Sequence, residues 1–273
     1  MHKMKNLIYI IVFSLVFTSC GHYQKVLNKG TVQEQYKLAT EMYEAKKYGR
    51  ALTLFEKITP SYRGKPQMER IQFMVAQSNF NTKSYNLAGY YFNRFTQNYP
   101  VSSKKEEAAY LSAFSYMKAS PVFSLDATDT RKALNSFQSF INAYPDSKRI
   151  PDANKHYQEI RYKLQKKSFE IAKNYYTTAR TDSRNYKASI VAFDNLLSDY
   201  LGSEFKEEAL YYRLKAAHDL AVKSTARRKE DRLKEAIKAY EKLKRNFPKT
   251  QYLEASNKML ATLEKEQKQL VKS

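Results

Sequence analysis

Apolar residues recur along this chain at spacings of three and four, the interval that places side chains on one face of a helix. Five stretches carry a small residue four places before an aromatic: Ala51 and Phe55, Ala88 and Phe92, Ala133 and Phe137, Ser189 and Phe193, Ala236 and Tyr240. Three of these faces run into an aromatic-proline pair, in "YYFNRFTQNYPVSS" at 90, "SFQSFINAYPDS" at 136 and "AYEKLKRNFPKT" at 239. Proline there predicts the end of the helix. "AFDNLLSDYLGS" at 192 keeps the pattern but has Leu201 in the proline's place. A second signature precedes these faces: aromatic, two residues, alanine, three residues, large apolar. It reads "YKLATEMY" (36–43), "FMVAQSNF" (73–80), "YLSAFSYM" (110–117) and "FEIAKNYY" (169–176), while "YYRLKAAH" from 211 puts Leu214 where the alanine would be. A small residue at that place lets a partner helix approach closely.

The second signature starts at residues 36, 73, 110, 169 and 211, so the repeating unit is a helical hairpin of ~34 residues with insertions, the tetratricopeptide type. The predicted fold is all-α, a solenoid of about five such hairpins. "KASPVFSLDATDT" (118–130) inserts a proline-containing loop into the third hairpin. "IPDANKHYQEIRYKLQKKS" (150–168) extends the first helix of the fourth backward, giving one long helix from about Asp152 to about Tyr176. The predicted division is repeats 1–3 over residues 32–150, then the long connecting helix with repeats 4–5 over 151–273. The last residues, "KEQKQLVKS", read as a solvated helix end.

Composition agrees with helix: 23 Tyr, 15 Phe and no Trp supply a large aromatic core, while six Gly and seven Pro are too few for a chain built on tight turns. The N-terminus adds a different feature. Lys3 and Lys5 precede an apolar run from Leu7, and small Thr18 and Ser19 lead into the sole cysteine, Cys20. This is the layout of a secretory signal peptide over residues 1–19. The alternative, a transmembrane helix, falls short of the ~20 apolar residues needed to cross a bilayer. "FTSC" resembles the lipobox of bacterial lipoproteins, in which the chain is cut before the cysteine and the thiol takes up lipid. Cys20 is thus the expected lipid attachment site, and residues 20–31 a lipidated tether. The formal charge of +21 would ordinarily raise nucleic acid as a partner. Export redirects it to anionic headgroups or an acidic protein surface.

Catalytic chemistry finds no constellation. His2, His22, His156 and His218 are scattered, with no second histidine or cysteine at metal-ligand spacing. The glycines make no phosphate-cradling loop. The pairs Glu106–Glu107 and Glu207–Glu208 precede hairpin starts, where acids are favoured by the helix dipole. The expectation is a protein that is not an enzyme and takes no metal or cofactor.

The lipobox-like Cys20, the five hairpins, "AYPDS" closing the third, and the long helix ending "FEIAKNYY" before "YKASIVAFDNLLSDY" together make the chain resemble the BamD family of β-barrel assembly lipoproteins, of the Bacteroidota type. The resemblance spans essentially the whole mature chain. It implies a scaffold that binds the barrel subunit BamA, other assembly-machinery subunits and unfolded outer-membrane proteins. Cys20 is followed by neither Asp nor an acidic cluster, which in such families implies an anchor in the outer membrane facing the periplasm. "SIVAFDNLL" holds no basic residue of the kind that meets BamA in family members, so no contact residue carries over there. The expected BamA-binding feature is the segment 223–249, with eleven Lys or Arg against four Asp or Glu.

Tyr36, Tyr43, Phe73, Phe80, Tyr110 and Met117, the first and last residues of the second signature, are the expected substrate groove, with packing between repeats the alternative role for each. The expected occupant is the C-terminal strand of an unfolded outer-membrane protein, ending in an aromatic residue, with Arg70 and Lys118 near the same helices as expected partners of its terminal carboxylate. The competing function class is a different solenoid lipoprotein of the outer membrane, one that binds cell-wall glycan or pilots a secretin.

Overall fold

The computed structural model describes residues 21–272, and every regular element among the described residues is a helix. Residues 1–19 and Cys20 lie outside the described residues. After a helix over 21–29 (α1) come α2 (Val32–Glu44), α3 (Tyr48–Ile58), a 3-10 turn (Thr59–Tyr62), α4 (Gln67–Asn81), α5 (Tyr85–Asn98), α6 (Lys105–Ala119) and α7 (Thr128–Ala143). The long α8 (Ile150–Thr178) follows, then α9 (Arg184–Asp199), α10 (Lys206–Val222), α11 (Ala226–Asn246) and α12 (Leu253–Lys272). The predicted hairpins are α2–α3, α4–α5, α6–α7, α8–α9 and α10–α11. No described helix is long and apolar enough to cross a membrane.

The chain divides into two compact units, one running to Pro121 and adding Ala127–Tyr157, the other made of Val122–Asp126 and everything from Gln158. In each, the small-to-aromatic register builds the interior. Ala51, Ala88, Ala133 and Ala236 are fully buried, as are Phe55, Phe92, Phe137 and Phe193 opposite the companion helices. Ala39, Ala76, Ala113, Ala172 and Leu214 are likewise fully buried. Gly89 shows how tight the approach is, since a Cβ there would lie 2.7 Å from the Tyr116 ring. Its carbonyl accepts a 2.8 Å bond from Ser112 Oγ on α6.

The helix ends follow a rule that proline does not explain. Tyr99, Tyr144 and Phe247, each before a proline, leave the helix at φ −127°, −133° and −136°. Tyr200, before Leu201, does so at φ −125°. What the four share is a turn in which Ser or Thr three residues on donates its N–H to the aromatic's carbonyl, at 3.1–3.2 Å. The rings of Tyr99 and Tyr144 also fold back on Phe95 and Phe140, with centroids 5.0 and 5.3 Å apart.

The segment expected as a tether is helical over residues 21–29 and docked. Tyr23 is buried and its hydroxyl donates to the Arg50 carbonyl at 3.1 Å. The buried Gln35 amide donates to Val26 O at 3.2 Å and Leu27 O at 3.1 Å, and the Lys57 ammonium also donates to Leu27 O. A capping box explains the turn into α2: Thr31 Oγ1 accepts from Glu34 N at 3.2 Å, and the Glu34 carboxylate accepts from Thr31 N at 2.7 Å. Hydrogen bonds from the Thr31 N–H and hydroxyl hold the Glu34 carboxyl below its ordinary range.

Candidate functional site

In the first unit the end of α2, one face of α4, Phe95 of α5 and the residue that caps α6 line an open cavity of about 490 Å³. Arg70, Phe73 and Gln77 stand at i, i+3 and i+7 of α4, the spacing that keeps one face, and all three line it together with Tyr43 at the end of α2 and Lys104 at the cap of α6. Tyr43 donates its hydroxyl to Gln77 Oε1 and meets Tyr48 edge-on at 5.6 Å. Burial, reinforced by Tyr48 and Glu107, pushes the Tyr43 phenol up to about 12, so it is a neutral donor at any physiological pH.

The charges around the cavity are balanced. Arg70 meets Glu44 at 3.7 Å, and Lys104 meets Glu107 at 2.9 Å while lying 5.5 Å over the Phe73 ring. Glu69 on the rim accepts a 2.6 Å bond from Ser102 Oγ. The lining therefore offers an apolar wall, an amide, a phenol and exposed guanidinium and ammonium groups. It holds no nucleophile with an adjacent base, and among the described residues no group of three or more His, Cys, Asp or Glu is placed to hold a metal ion.

Of the six aromatic and apolar positions singled out in the sequence, the structure brings Tyr43 and Phe73 together at this cavity. Phe73 is only 8% exposed, its ring edge-on to Phe92 and Phe95 at 5.8 and 5.3 Å, so it is a wall of the core as much as of the cavity. Tyr36 packs against Tyr62 at 5.3 Å. Phe80 sits between Tyr85 and Phe114. Tyr110, 9% exposed, is enclosed by Phe137 and Phe140 with the Arg149 guanidinium 5.1 Å over its face. Met117 is half-buried on the last turn of α6. Arg70 lines the cavity; Lys118 lies instead over the Phe114 ring. Gln77 and Lys104 were not anticipated, although Gln77 could be read from its place one helical turn beyond Phe73.

The second unit presents the basic segment on α11. Lys229 pairs with Glu266, Lys234 with Glu230 at 2.6 Å and Lys238 with Glu235 at 3.5 Å. Arg228 and Arg232 instead rim a hollow of about 200 Å³ floored by Ile190, Ala217 and Leu220. Arg213 at its side is held by Asp194 through two bonds of 2.7 and 2.9 Å.

A family described as "outer membrane lipoprotein", YfiO, matches residues 28–233, and a tetratricopeptide repeat family matches residues 223–250. A relative from Rickettsia prowazekii, outer membrane protein assembly factor BamD, is 26% identical over 190 residues, covering 68% of this chain and 74% of its own. The protein of the same name from Pasteurella multocida is 22% identical over 241 residues, covering 83% and 90%. A solved structure of a computationally designed self-assembling cyclic homo-oligomer aligns over 98% of this chain at 16% identity, but with a TM-score of 0.22, too low to bear on the fold. The helical hairpins and the match over most of the chain lead to one conclusion: this protein belongs to the YfiO family of outer membrane lipoproteins and is of the BamD type.

Proposed function

We propose that this protein is a lipid-anchored scaffold of outer-membrane protein assembly, fixed through Cys20 to the periplasmic face of the outer membrane. In this reading it is not an enzyme. Its first unit receives an extended segment of an unfolded outer-membrane protein, and its second unit holds the barrel subunit of the assembly machinery. The observation that carries the reading is the cavity along α4 and the end of α2, where the Tyr43 phenol and Gln77 amide stand beside the Phe73 wall and Arg70. An extended peptide sets alternate side chains on one face at ~6–7 Å. One aromatic side chain in the cavity and a carboxylate at Arg70 suit a strand that ends in an aromatic residue.

The second unit's part rests on Arg228 and Arg232, which with Lys187 and Arg213 outnumber the one acid, Glu235, around a hollow that also holds Ile190, Ala217 and Leu220. An acidic surface would be drawn to it, faster at low salt. The test is to purify the native lipoprotein from detergent-solubilised outer membranes and identify what accompanies it. The barrel subunit should co-purify, and deletion of residues 182–273 should remove it. A preparation that instead carries glycan or a secretin overturns the proposal. Mass spectrometry of the mature N-terminus tests the anchor separately: an acylated Cys20 is expected, with more than one chain, because a single acyl chain anchors only marginally.

A further inference from the structure

The turn between α2 and α3 and the start of α3 read "AKKYGR" (45–50), three cations and no acid, and the turn between α4 and α5 with its two flanking residues reads "NTKSY" (81–85), with one cation and no acid. Lys46, Lys47, Arg50 and Lys83 are all exposed, and none has a carboxylate partner among the described residues. Two of them occupy a backbone conformation that disfavours any side chain. Lys46 has φ 58° and Lys83 φ 64°, the left-handed region where glycine is the unstrained choice. The chain thus places a lysine, at a conformational cost, at the corresponding position of two successive hairpins.

These turns lie at one edge of the first unit. Neighbouring helices α2, α3, α4 and α5 pack in sequence, and connections of three residues, 45–47 and 82–84, make each hairpin antiparallel. Alternate turns therefore share an edge. The start of α1 lies there too, because Tyr23 bonds Arg50 at the beginning of α3 while Leu27 bonds Lys57 near its end. The guanidinium of Arg50 sits 5.3 Å over the Tyr23 ring. Cys20 is one residue from Gly21, and consecutive Cα atoms are ~3.8 Å apart. A lipid on Cys20 would enter the bilayer beside this basic edge.

We propose that the edge formed by the α2–α3 and α4–α5 turns rests on the membrane and binds the phosphate groups of anionic lipid headgroups through Lys46, Lys47, Arg50 and Lys83. The inference rests on the reading of Cys20 as the anchor. It fixes how the first unit meets the bilayer: through this edge, with the docked α1 in place of a flexible spacer.

The test uses the whole chain from residue 20 with Cys20→Ala, so that binding does not depend on acylation. It measures co-sedimentation with vesicles of phosphatidylcholine alone and of phosphatidylcholine with about a third phosphatidylglycerol, at ~0.1 M salt. Binding to the anionic vesicles only is expected. Substituting Lys46, Lys47, Arg50 and Lys83 by Gln should weaken it about fivefold per charge, about 10²-fold or more together. Substituting the exposed Lys148, Lys155, Lys265 and Lys268 by Gln removes equal charge elsewhere and should cost much less. Equal loss in the two variants, or no preference of the parent for anionic vesicles, overturns the inference. An unacylated Cys20 found by mass spectrometry would instead remove the anchor from the proposed function while leaving the vesicle result to stand or fall alone.

Discussion

Ser147 Oγ donates a 2.5 Å hydrogen bond to Glu106 Oε1, tying the turn after α7 back to the first turn of α6. Two other hairpins do the same. Ser102 reaches Glu69 at 2.6 Å, and Thr250 reaches Glu207 at 2.6 Å. Each hydroxyl also accepts an N–H two residues on, at 3.0 Å from Lys104, 3.1 Å from Arg149 and 3.2 Å from Tyr252. One hydroxyl thus fixes where a hairpin closes and where the next helix begins.

Hydrogen bonds to a charged group contribute ~1.5–3 kcal/mol when their loss strands a partner. Glu106→Ala and Glu207→Ala should each lower stability by about that amount in chemical denaturation. Glu106→Gln, which keeps an acceptor, should lose less. Neutral outcomes for both alanine variants would show that the links do not stabilise the hairpins.

The left-handed lysines give a prediction of opposite sign. An L-residue pays ~1–2 kcal/mol for this conformation, and glycine does not, though glycine gains freedom when unfolded. Lys46→Gly and Lys83→Gly should each raise stability by roughly 0.5–1 kcal/mol. Thermal midpoints of the single and double variants check it.

Gly89 runs the other way. Alanine is better than glycine inside a helix by ~1 kcal/mol, yet a Cβ at this site would meet Tyr116 Cε1 at 2.7 Å and Cζ at 2.8 Å. Gly89→Ala should therefore destabilise the first unit in denaturant titration. A gain in stability would mean that the Tyr116 ring swings aside freely.

The hairpins were legible because Ala88 and Phe92, or Ala133 and Phe137, obey a local helical spacing that packing then uses directly. The long α8, expected over about 152–176, spans 150–178 for the same reason. The role of Glu106 was not legible. Its place in a first turn was, but its partner lies 41 residues on, beyond an inserted loop. The docking of α1 was hidden similarly, since Tyr23 buries against α3 only once α2 has turned the chain back. Repetition alone singled out Tyr43 and Phe73, and both line the cavity. That repetition could not show that Tyr36, Phe80 and Tyr110 pack against neighbouring rings, because repeat-to-repeat packing and a binding face use the same residue types at the same spacing.

Alkaline pH should unfold the protein early. Burial raises Tyr43 to about 12 and also raises Tyr62, Tyr99, Tyr110 and Tyr176, the last helped by its 3.0 Å bond to Asp219. A phenol raised on folding binds its proton more tightly in the native state than in the unfolded chain, where it titrates near ~10. That stability is full below about pH 10 and is lost as the pH climbs toward 12. Thermal midpoints should fall steeply across this window, less steeply in Tyr43→Phe. A flat profile would contradict the burial of these phenols.

The cavity separates two roles that one substitution alone would confuse. Tyr43 is half-buried at the end of a helix, with its hydroxyl on Gln77. Phe73 is 8% exposed among Phe92 and Phe95. Phe73→Ala removes a core ring and should cost ~3–5 kcal/mol of stability, so a change in its binding cannot be read without correcting for the unfolded fraction. Gln77→Ala and Arg70→Ala leave the core intact and should shift the midpoint by no more than a degree or two. If the first unit binds a strand ending in an aromatic residue and a free carboxylate, Arg70→Ala should weaken a peptide of that kind by about 1–2 kcal/mol, the scale of one charge-assisted hydrogen bond. Amidation of the peptide's C-terminus should then weaken binding to the parent by a similar factor and have little further effect on Arg70→Ala. Titration calorimetry over the four combinations gives the coupling directly. If the two losses simply add, the carboxylate does not meet Arg70, and that part of the proposed binding mode fails.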